Sequence, residues 1–90
     1  MPSPLESPAP GYNISAVERE TGLSKDLLRM WERRYGFPHP ARDTGGEPLY
    51  STADVAKLRA VKRLMDAGMR PGKIVHQSLE ALNALADARS

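Results

Sequence analysis

Two helix-forming segments lie only about three residues apart in this chain, and so short a connection leaves few folds open. Ser15 and Glu18 have the spacing of a capping box and predict the start of the first helix, and Gly22 predicts its end. Ser24 is the natural N-cap of a second helix, which Gly36 closes. Two helices joined by a tight turn predict a helix-turn-helix unit.

The segment after the second helix has the composition of a small β-hairpin. Two prolines follow Gly36 closely and disfavour a helix, because each proline pushes the preceding residue toward an extended conformation. Extended pieces around Arg42 and around residues 49–50 flank a turn over residues 43–46 that contains two glycines. The chain is therefore predicted to be mainly α-helical, with one small two-stranded β-hairpin.

Apolar periodicity predicts further helices in the second half of the chain. Ser51 and Asp54 form a capping-box-like start for a third helix, and Pro71 suits the first turn of another. Leucines three residues apart predict that this last helix continues or that a new one begins: Leu79, Leu82 and Leu85. The side chains predicted to form the core are Ile14, Val17, Leu28, Trp31, Leu49, Leu58 and Val61.

Length and composition exclude several classes of protein. Ninety residues indicate one small domain. The absence of cysteine excludes a disulfide framework and a thiolate zinc site, and the two histidines are far apart in the chain. No apolar run approaches the ~18 residues of a membrane span, and the N-terminus lacks the features of a signal peptide. We expect a soluble, cytoplasmic protein without metal or cofactor in this chain, preceded by a disordered, proline-rich leader over residues 1–11.

The positive charge is concentrated in the middle of the chain. The net charge is +2, but residues 25–73 hold eleven basic against six acidic side chains, which gives this part +5. The segments on either side are both negative, at −2 for residues 1–24 and −1 for residues 74–90. This clustering favours a polyanionic partner, because phosphate binding is driven by the release of counterions.

One face of the second helix is predicted to pack, and the opposite face to carry positive charge. At about 100° per residue, one apolar arc contains Leu27, Leu28, Trp31 and Tyr35. Lys25, Arg29 and Arg33 lie at about 0°, 40° and 80° on the other side, and Asp26 and Met30 continue that face. Such a row is often only a solvated surface. Between a tight turn and a basic hairpin, it favours a helix that lies in the major groove of DNA.

The order of these motifs resembles the DNA-binding domain of the MerR family of transcription regulators. The residues that carry the resemblance are Ile14, the Thr21-Gly22-Leu23-Ser24 turn, Leu28-Arg29 followed by Trp31-Glu32-Arg33, Pro40 with Arg42, Leu49-Tyr50-Ser51, Asp54, and Lys62-Arg63-Leu64 ahead of Gly68. The block of residues 31–38 is similar to the branch that contains light- and cobalamin-responsive regulators of carotenoid synthesis.

The resemblance implies a winged helix-turn-helix fold over residues 12–79. Residues 25–35 would be the recognition helix, residues 41–50 the first wing, and the turn before Ile74 a second wing. The residues expected to contact DNA are Lys25, Asp26, Arg29, Met30, Arg33, Arg42, Tyr50, Arg70 and Lys73. The implied function is sequence-specific binding of promoter DNA by a transcription regulator, and not an enzymatic reaction.

The resemblance also implies partners beyond the DNA duplex. Members of the family are usually homodimers on inverted repeats and dimerise through a C-terminal helix or an effector domain. Residues 80–90 are therefore expected to be a helix or linker toward such a region, which would bind the effector, with cobalamin as a candidate. RNA polymerase at the promoter and an acidic antirepressor protein are further expected partners, and the expected location is the bacterial nucleoid.

Three departures from the family pattern bear on function. The arginine usual before the Leu-Tyr pair of the wing is replaced by Pro48, which removes a cation from the expected phosphate contact. The aromatic residue common at the position of Met30 is absent, which weakens a base or sugar contact there. Glu18 and Glu20 stand where relatives often have apolar residues, which predicts a less extensively packed first helix.

Two other functions fit parts of the sequence. Asp43-Thr44-Gly45 matches the Asp-Thr-Gly triplet of aspartic proteases, but those enzymes need two such loops, and a turn that Asp43 begins is the better explanation. A basic helix face can also bind an acidic protein that imitates DNA. A protein-interaction module is therefore the alternative to a DNA-binding regulator.

Overall fold

A computed structural model describes residues 11–89 of the chain. The elements in chain order are β1 (Gly11–Tyr12), α1 (Ile14–Thr21), α2 (Lys25–Tyr35), β2 (Ala41–Arg42), β3 (Pro48–Ser51), α3 (Thr52–Asp66), α4 (Pro71–Ile74) and α5 (Leu79–Arg89). Of the predicted leader of residues 1–11, only Gly11 lies among the described residues, and it belongs to β1. The mainly α-helical fold with a hairpin is confirmed.

The helix-turn-helix unit is present, but the N-cap of its first helix lies two residues earlier than predicted. The N-cap of α1 is Asn13, whose Oδ1 accepts a hydrogen bond from the Ala16 N–H at 2.8 Å, and the prediction of Ser15 as cap is wrong. An asparagine side chain caps as well as a serine does, and its position one residue before Ile14 lets Ile14 turn toward the core. The predicted end of α1 is confirmed by Gly22, which is in the left-handed conformation at φ 78°.

The two candidate caps of α1 can be separated by substitution. Asn13→Ala is expected to lower the free energy of unfolding by about 0.5–2 kcal/mol, because it leaves the Ala16 N–H without its acceptor. Ser15→Ala is the matched control, since Ser15 is exposed and should change stability little. Chemical denaturation followed by circular dichroism measures both, and a larger loss for Ser15→Ala would contradict the Asn13 cap.

The sheet has three strands where the sequence predicted two. β2 and β3 form the expected antiparallel hairpin, with Ala41 opposite Leu49, and β1 pairs with the other edge of β3 in the order β1-β3-β2. β1 approaches β3 closely, since a Cβ on Gly11 would lie 2.5 Å from the Leu49 Cγ. A larger residue at this position would therefore have to displace the Leu49 side chain.

The core lies between the helices and one face of the sheet. Its buried apolar side chains are Val17, Leu23, Leu28, Trp31, Tyr50, Val55, Leu58, Ala60, Val61, Leu64, Ile74, Val75, Leu82 and Ala86. Five of the seven predicted core residues are among them, Ile14 is partly buried and packs against the cluster, and Leu49 is only half-buried and does not belong to it. Leu49 alternates with the buried Tyr50 along β3, so it lies on the opposite face of the sheet.

The C-terminal helix belongs to the same domain as the rest. α5 starts after Ser78, whose Oγ accepts from the Ala81 N–H at 3.1 Å, and it packs along α3. Leu82 has no exposed surface, and Leu79 and Leu85 are partly buried against the core. Residues 80–90 were predicted to form a helix or a linker, and the described part of this segment is a helix that packs against the core; only Ser90 lies outside the described residues.

Candidate nucleic-acid interface

The second helix of the helix-turn-helix turns a cationic face to solvent. Arg29 and Arg33 are exposed and Lys25 is half-buried, while Leu28 and Trp31 on the other side have no exposed surface. The helix therefore has the two faces that its sequence predicted. Asp26 and Met30 are exposed beside the cations.

The start of α2 is fixed by two side chains from outside the helix. The Ser24 Oγ accepts from the Leu27 N–H at 3.1 Å, as predicted for an N-cap. The Oε2 of Glu18, on α1, accepts from the Lys25 N–H at 3.3 Å and brings a negative charge to the positive end of the helix dipole. Glu18 therefore orients α2 relative to α1, a role that the sequence did not indicate.

The prediction that Glu18 and Glu20 make α1 pack less extensively than in relatives stays a prediction, and the structure shows where the two side chains lie. The buried face of α1 is formed by Val17 and Thr21, and the two glutamates lie outside it. Glu20 forms an ion pair with Arg59 of α3. Both acidic side chains thus connect α1 to other helices by polar contacts.

The hairpin and α2 together enclose a concave pocket of about 350 Å³. Its lining residues are Ile14, Arg29, Glu32, Arg33, Arg42, Pro48 and Tyr50. Three arginines, two from α2 and one from β2, thus line one space together with a single acidic residue, Glu32. Because Arg42 lies on a different element from Arg29 and Arg33, the position of the hairpin beside α2 assembles this group of cations.

Pro48 lines the same pocket and fits its position in the hairpin. The Asp43 N–H donates to the Glu47 carbonyl at 3.0 Å, and hydrogen-bonded pairs alternate along antiparallel strands. The next pair, Arg42 and Pro48, is therefore a non-hydrogen-bonded pair, in which β2 needs no N–H from residue 48. β1 pairs only with residues 50 and 51 of β3, so a proline at 48 removes no sheet hydrogen bond on that side either.

Tyr50 is the predicted contact residue whose position differs most from expectation. The residue is only 1% exposed, so the prediction that it presents a surface to DNA is corrected. Tyr50 is buried and lies at the bottom of the pocket. Burial is the main cause that raises the pKa of the phenol, and Glu32 adds to it, while Arg29 and Arg42 act in the opposite direction. Tyr50 therefore stays neutral beside the arginines that line the pocket.

The remaining predicted contact residues lie at the start of α4. Arg70 is the residue before this short helix and Lys73 is in it, and both are exposed. α4 lies against the end of α2: a Cβ on Gly72 would lie 3.2 Å from the Tyr35 hydroxyl. The His76 ring also meets the Tyr35 ring edge-on, with 6.0 Å between centroids. Tyr35 thus ties the predicted second wing to the recognition helix.

The connection between α2 and the hairpin is held against α3. The Lys57 Nζ lies 4.3 Å from the centroid of the Phe37 ring, which is a cation–π contact. Burial lowers the pKa of Lys57, and the neighbouring Asp54 opposes this shift. The contact fixes the start of the segment that leads to β2.

The triplet that resembles a protease motif forms a turn. The Asp43 Oδ1 accepts from the N–H groups of Gly45 and Glu47, at 2.8 and 3.0 Å, and Gly46 has a positive φ of 83°. The carboxylate is thus occupied by backbone donors, as expected for an aspartate that begins a turn. Within residues 11–89, no cluster of potential metal ligands occurs and no helix is long and apolar enough to cross a membrane.

Comparisons with known proteins agree with this geometry. Residues 12–77 match the family described as MerR HTH family regulatory protein. The HTH-type transcriptional repressor CarH of Myxococcus xanthus is 38% identical over 76 residues, which cover 81% of this chain and 25% of CarH. The HTH-type transcriptional repressor CarA of Myxococcus xanthus is 45% identical over 53 residues, 58% of this chain and 18% of CarA.

A third relative comes from another organism. The HTH-type transcriptional regulator MlrA of Escherichia coli (strain K12) is 36% identical over 63 residues, 70% of this chain and 26% of MlrA. The chain thus spans about a quarter or less of the length of these relatives. All three are named as regulators of transcription and none as an enzyme, which confirms the prediction of a non-enzymatic regulator.

Proposed function

The chain belongs to the MerR HTH family of regulatory proteins, whose members bind DNA to regulate transcription, and from this we propose how it binds. In the proposed complex, α2 lies in the major groove of a promoter duplex. The β2–β3 hairpin contacts the phosphates beside that groove, and the start of α4 contacts phosphates on the other side. The protein discriminates among promoters by base contacts from the exposed face of α2.

The observation that carries this proposal is the pocket shared by α2 and the hairpin. Arg29, Arg33 and Arg42 line one concave space, in which Glu32 is the one acidic lining residue. Guanidinium groups are matched in geometry to phosphate oxygens and to the guanine edge, and they bind both in two-point fashion. A duplex bound against the pocket would present base edges to the two arginines of α2 and a phosphate to Arg42, and the neutralised phosphate would release counterions.

The contacts divide by role. We assign base reading to Lys25, Arg29 and Arg33 with Asp26, because they lie on the outward face of the helix. Arg42, Arg70 and Lys73 lie on the two flanking elements, and we assign them to phosphates. Phosphate contacts set the position of the domain on the duplex, and α2 provides the specificity.

The whole protein has further proposed partners. Since the relatives are about four times as long as the matched region or longer, we propose that the domain works with a region that dimerises it on an inverted repeat. The same region would bind an effector, and cobalamin is the candidate that the resemblance to the carotenoid-regulator branch suggests. RNA polymerase at the promoter and an acidic antirepressor protein are proposed as further partners.

A titration with salt tests the proposed function. Duplexes are selected from a randomised pool with this chain, and binding of the enriched duplex is measured at several salt concentrations by fluorescence anisotropy. We expect an enriched sequence whose affinity falls steeply as salt rises, because each neutralised phosphate adds about 0.9 to the slope of the log–log plot. No enrichment, together with salt-dependent binding of an acidic DNA-mimicking protein, would favour the protein-interaction alternative.

A change at the hairpin tests whether this wing faces the DNA backbone. Pro48→Arg is expected to tighten binding and to steepen the log–log salt dependence by about 0.9, because it adds one cation to the pocket. The same substitution places two arginines opposite each other across the hairpin, so a small loss of stability is also expected. Salt titrations of both proteins on one duplex measure the slopes.

The control for this change is Asn83→Arg, which adds the same charge on the exposed side of α5, away from the pocket lining. This variant should leave the slope close to that of the unchanged chain. Equal slopes for the unchanged chain and Pro48→Arg would mean that residue 48 does not reach a phosphate.

A further inference from the structure

One exposed side chain on α2 is not explained by phosphate binding. Among the described residues, Met30 is the one large hydrophobic side chain that is exposed, at 36%. It stands in the middle of the recognition helix, one turn after Asp26 and three residues before Arg33, and not at a helix end. Contact with an apolar partner would remove the thioether and methyl groups of Met30 from water. Such burial would stabilise a complex.

The pocket and Met30 occupy different sides of the helix. On a helical wheel with Lys25 at zero, the pocket residues Glu32, Arg29 and Arg33 lie at about 340°, 40° and 80°. Met30 lies at about 140°, beyond Asp26, on the side turned away from the hairpin. The cations that line the pocket are thus separated from an apolar group on the neighbouring flank of the exposed face of α2.

The major groove of DNA offers one apolar group. Among the base edges, guanine, cytosine and adenine present donors and acceptors there, and thymine adds the C5-methyl group. A flexible methionine side chain can reach and cover such a methyl without a fixed hydrogen-bond geometry. No cation of α2 could recognise thymine by its methyl group, because arginine and lysine contact phosphates and the acceptors of guanine.

We propose that Met30 contacts the C5-methyl group of a thymine and so makes that thymine a specificity determinant of each half-site. This inference rests on the proposed function, with α2 in the major groove. Relatives often have an aromatic residue at the position of Met30. At this position, the present chain would therefore recognise a different feature of the DNA site.

Deoxyuridine tests the proposal, because it differs from thymidine only by the absence of that methyl group. Each thymine of the selected duplex is replaced in turn by deoxyuridine, and the dissociation constant is measured for the unchanged chain, Met30→Ala and Met30→Leu. Loss of one buried methyl contact should weaken binding of the unchanged chain about fourfold at one position per half-site. The remaining thymines are internal controls.

The variants show whether Met30 makes the contact. Met30→Ala should bind the thymine duplex about fourfold more weakly and lose its sensitivity to deoxyuridine at that position, whereas Met30→Leu should keep it. Unchanged thermal melts of both variants would exclude a folding defect, as expected for an exposed residue. Deoxyuridine effects that are equal in all three proteins, or absent at every position, would overturn the inference and leave the proposed function intact. Failure to enrich any duplex would overturn both.

Discussion

Replacing Trp31 by alanine is expected to lower the free energy of unfolding by about 3–5 kcal/mol. The indole has no exposed surface and belongs to the one hydrophobic cluster formed by the helices and the sheet. Small domains have only about 5–15 kcal/mol of stability in total, and a chain of this size stands near the lower end. Trp31→Ala should therefore be partly or fully unfolded at 37 °C, as measured by urea denaturation followed by circular dichroism.

The neighbouring Met30 provides the matched control for this experiment. Met30→Ala removes a large apolar side chain from the same helix one residue away, but from an exposed position. It should leave the unfolding midpoint nearly unchanged. A cooperative transition of Trp31→Ala at the midpoint of the unchanged chain would mean that the indole does not stabilise the core as its burial indicates.

Replacing Arg29 by alanine is expected to weaken DNA binding by about 1–3 kcal/mol, which corresponds to roughly five- to 150-fold in affinity. The side chain is exposed, lies on the outward face of α2 and lines the pocket between α2 and the hairpin. It is therefore placed to bind either a guanine edge or a phosphate. Anisotropy titrations on the selected duplex give the affinity, and the melting temperature should not change because no core contact is lost.

Two variants make the Arg29 result specific. Arg59→Ala removes the same charge from α3, where the guanidinium is paired with Glu20, and should change affinity much less. Arg29→Lys keeps the charge but loses the two-point geometry of the guanidinium, so it should fall between the unchanged chain and Arg29→Ala. Undiminished affinity of Arg29→Ala would remove Arg29 from the proposed contact surface.

A comparison of Arg29→Ala and Arg29→Lys across sequences also separates the two kinds of contact. If Arg29 reads a guanine, both variants should lose discrimination at one base pair and change the salt slope little. If it binds a phosphate, Arg29→Ala should weaken binding to all duplexes equally and reduce the slope by about one. Either pattern supports a DNA contact, and only the absence of both contradicts it.

The parts of the fold that could be predicted from sequence depend on contacts within a few residues. Ser24 and Ser51 cap helices through hydrogen bonds to an N–H three residues later, and both caps are confirmed. Gly36 ends α2 with a positive φ of 72°, as predicted, because a glycine adopts this conformation at little cost. The burial of Trp31 is also a local consequence, since the helical period fixes which face carries it.

The predictions that were wrong concern contacts between distant segments or the choice between two nearby candidate caps. β1 has only two residues and is held by its pairing with Tyr50 and Ser51, so no local pattern identifies it. The sheet it joins decides that Tyr50 faces the core and Leu49 does not. At the start of α1, Asn13 and Ser15 both have suitable side chains, and only the formed helix selects Asn13.

By itself, the sequence determined the helices, the tight turn between α1 and α2, and the row of cations on the outward face of α2. Those features follow from periodicity and capping, in which each residue acts on neighbours within about one helical turn. The tertiary structure alone decided that Arg42 joins Arg29 and Arg33 around one pocket, and that Glu18 reaches the start of α2. Each of these arrangements brings residues of different elements together, and packing of the common core fixes their distance, which no short segment specifies.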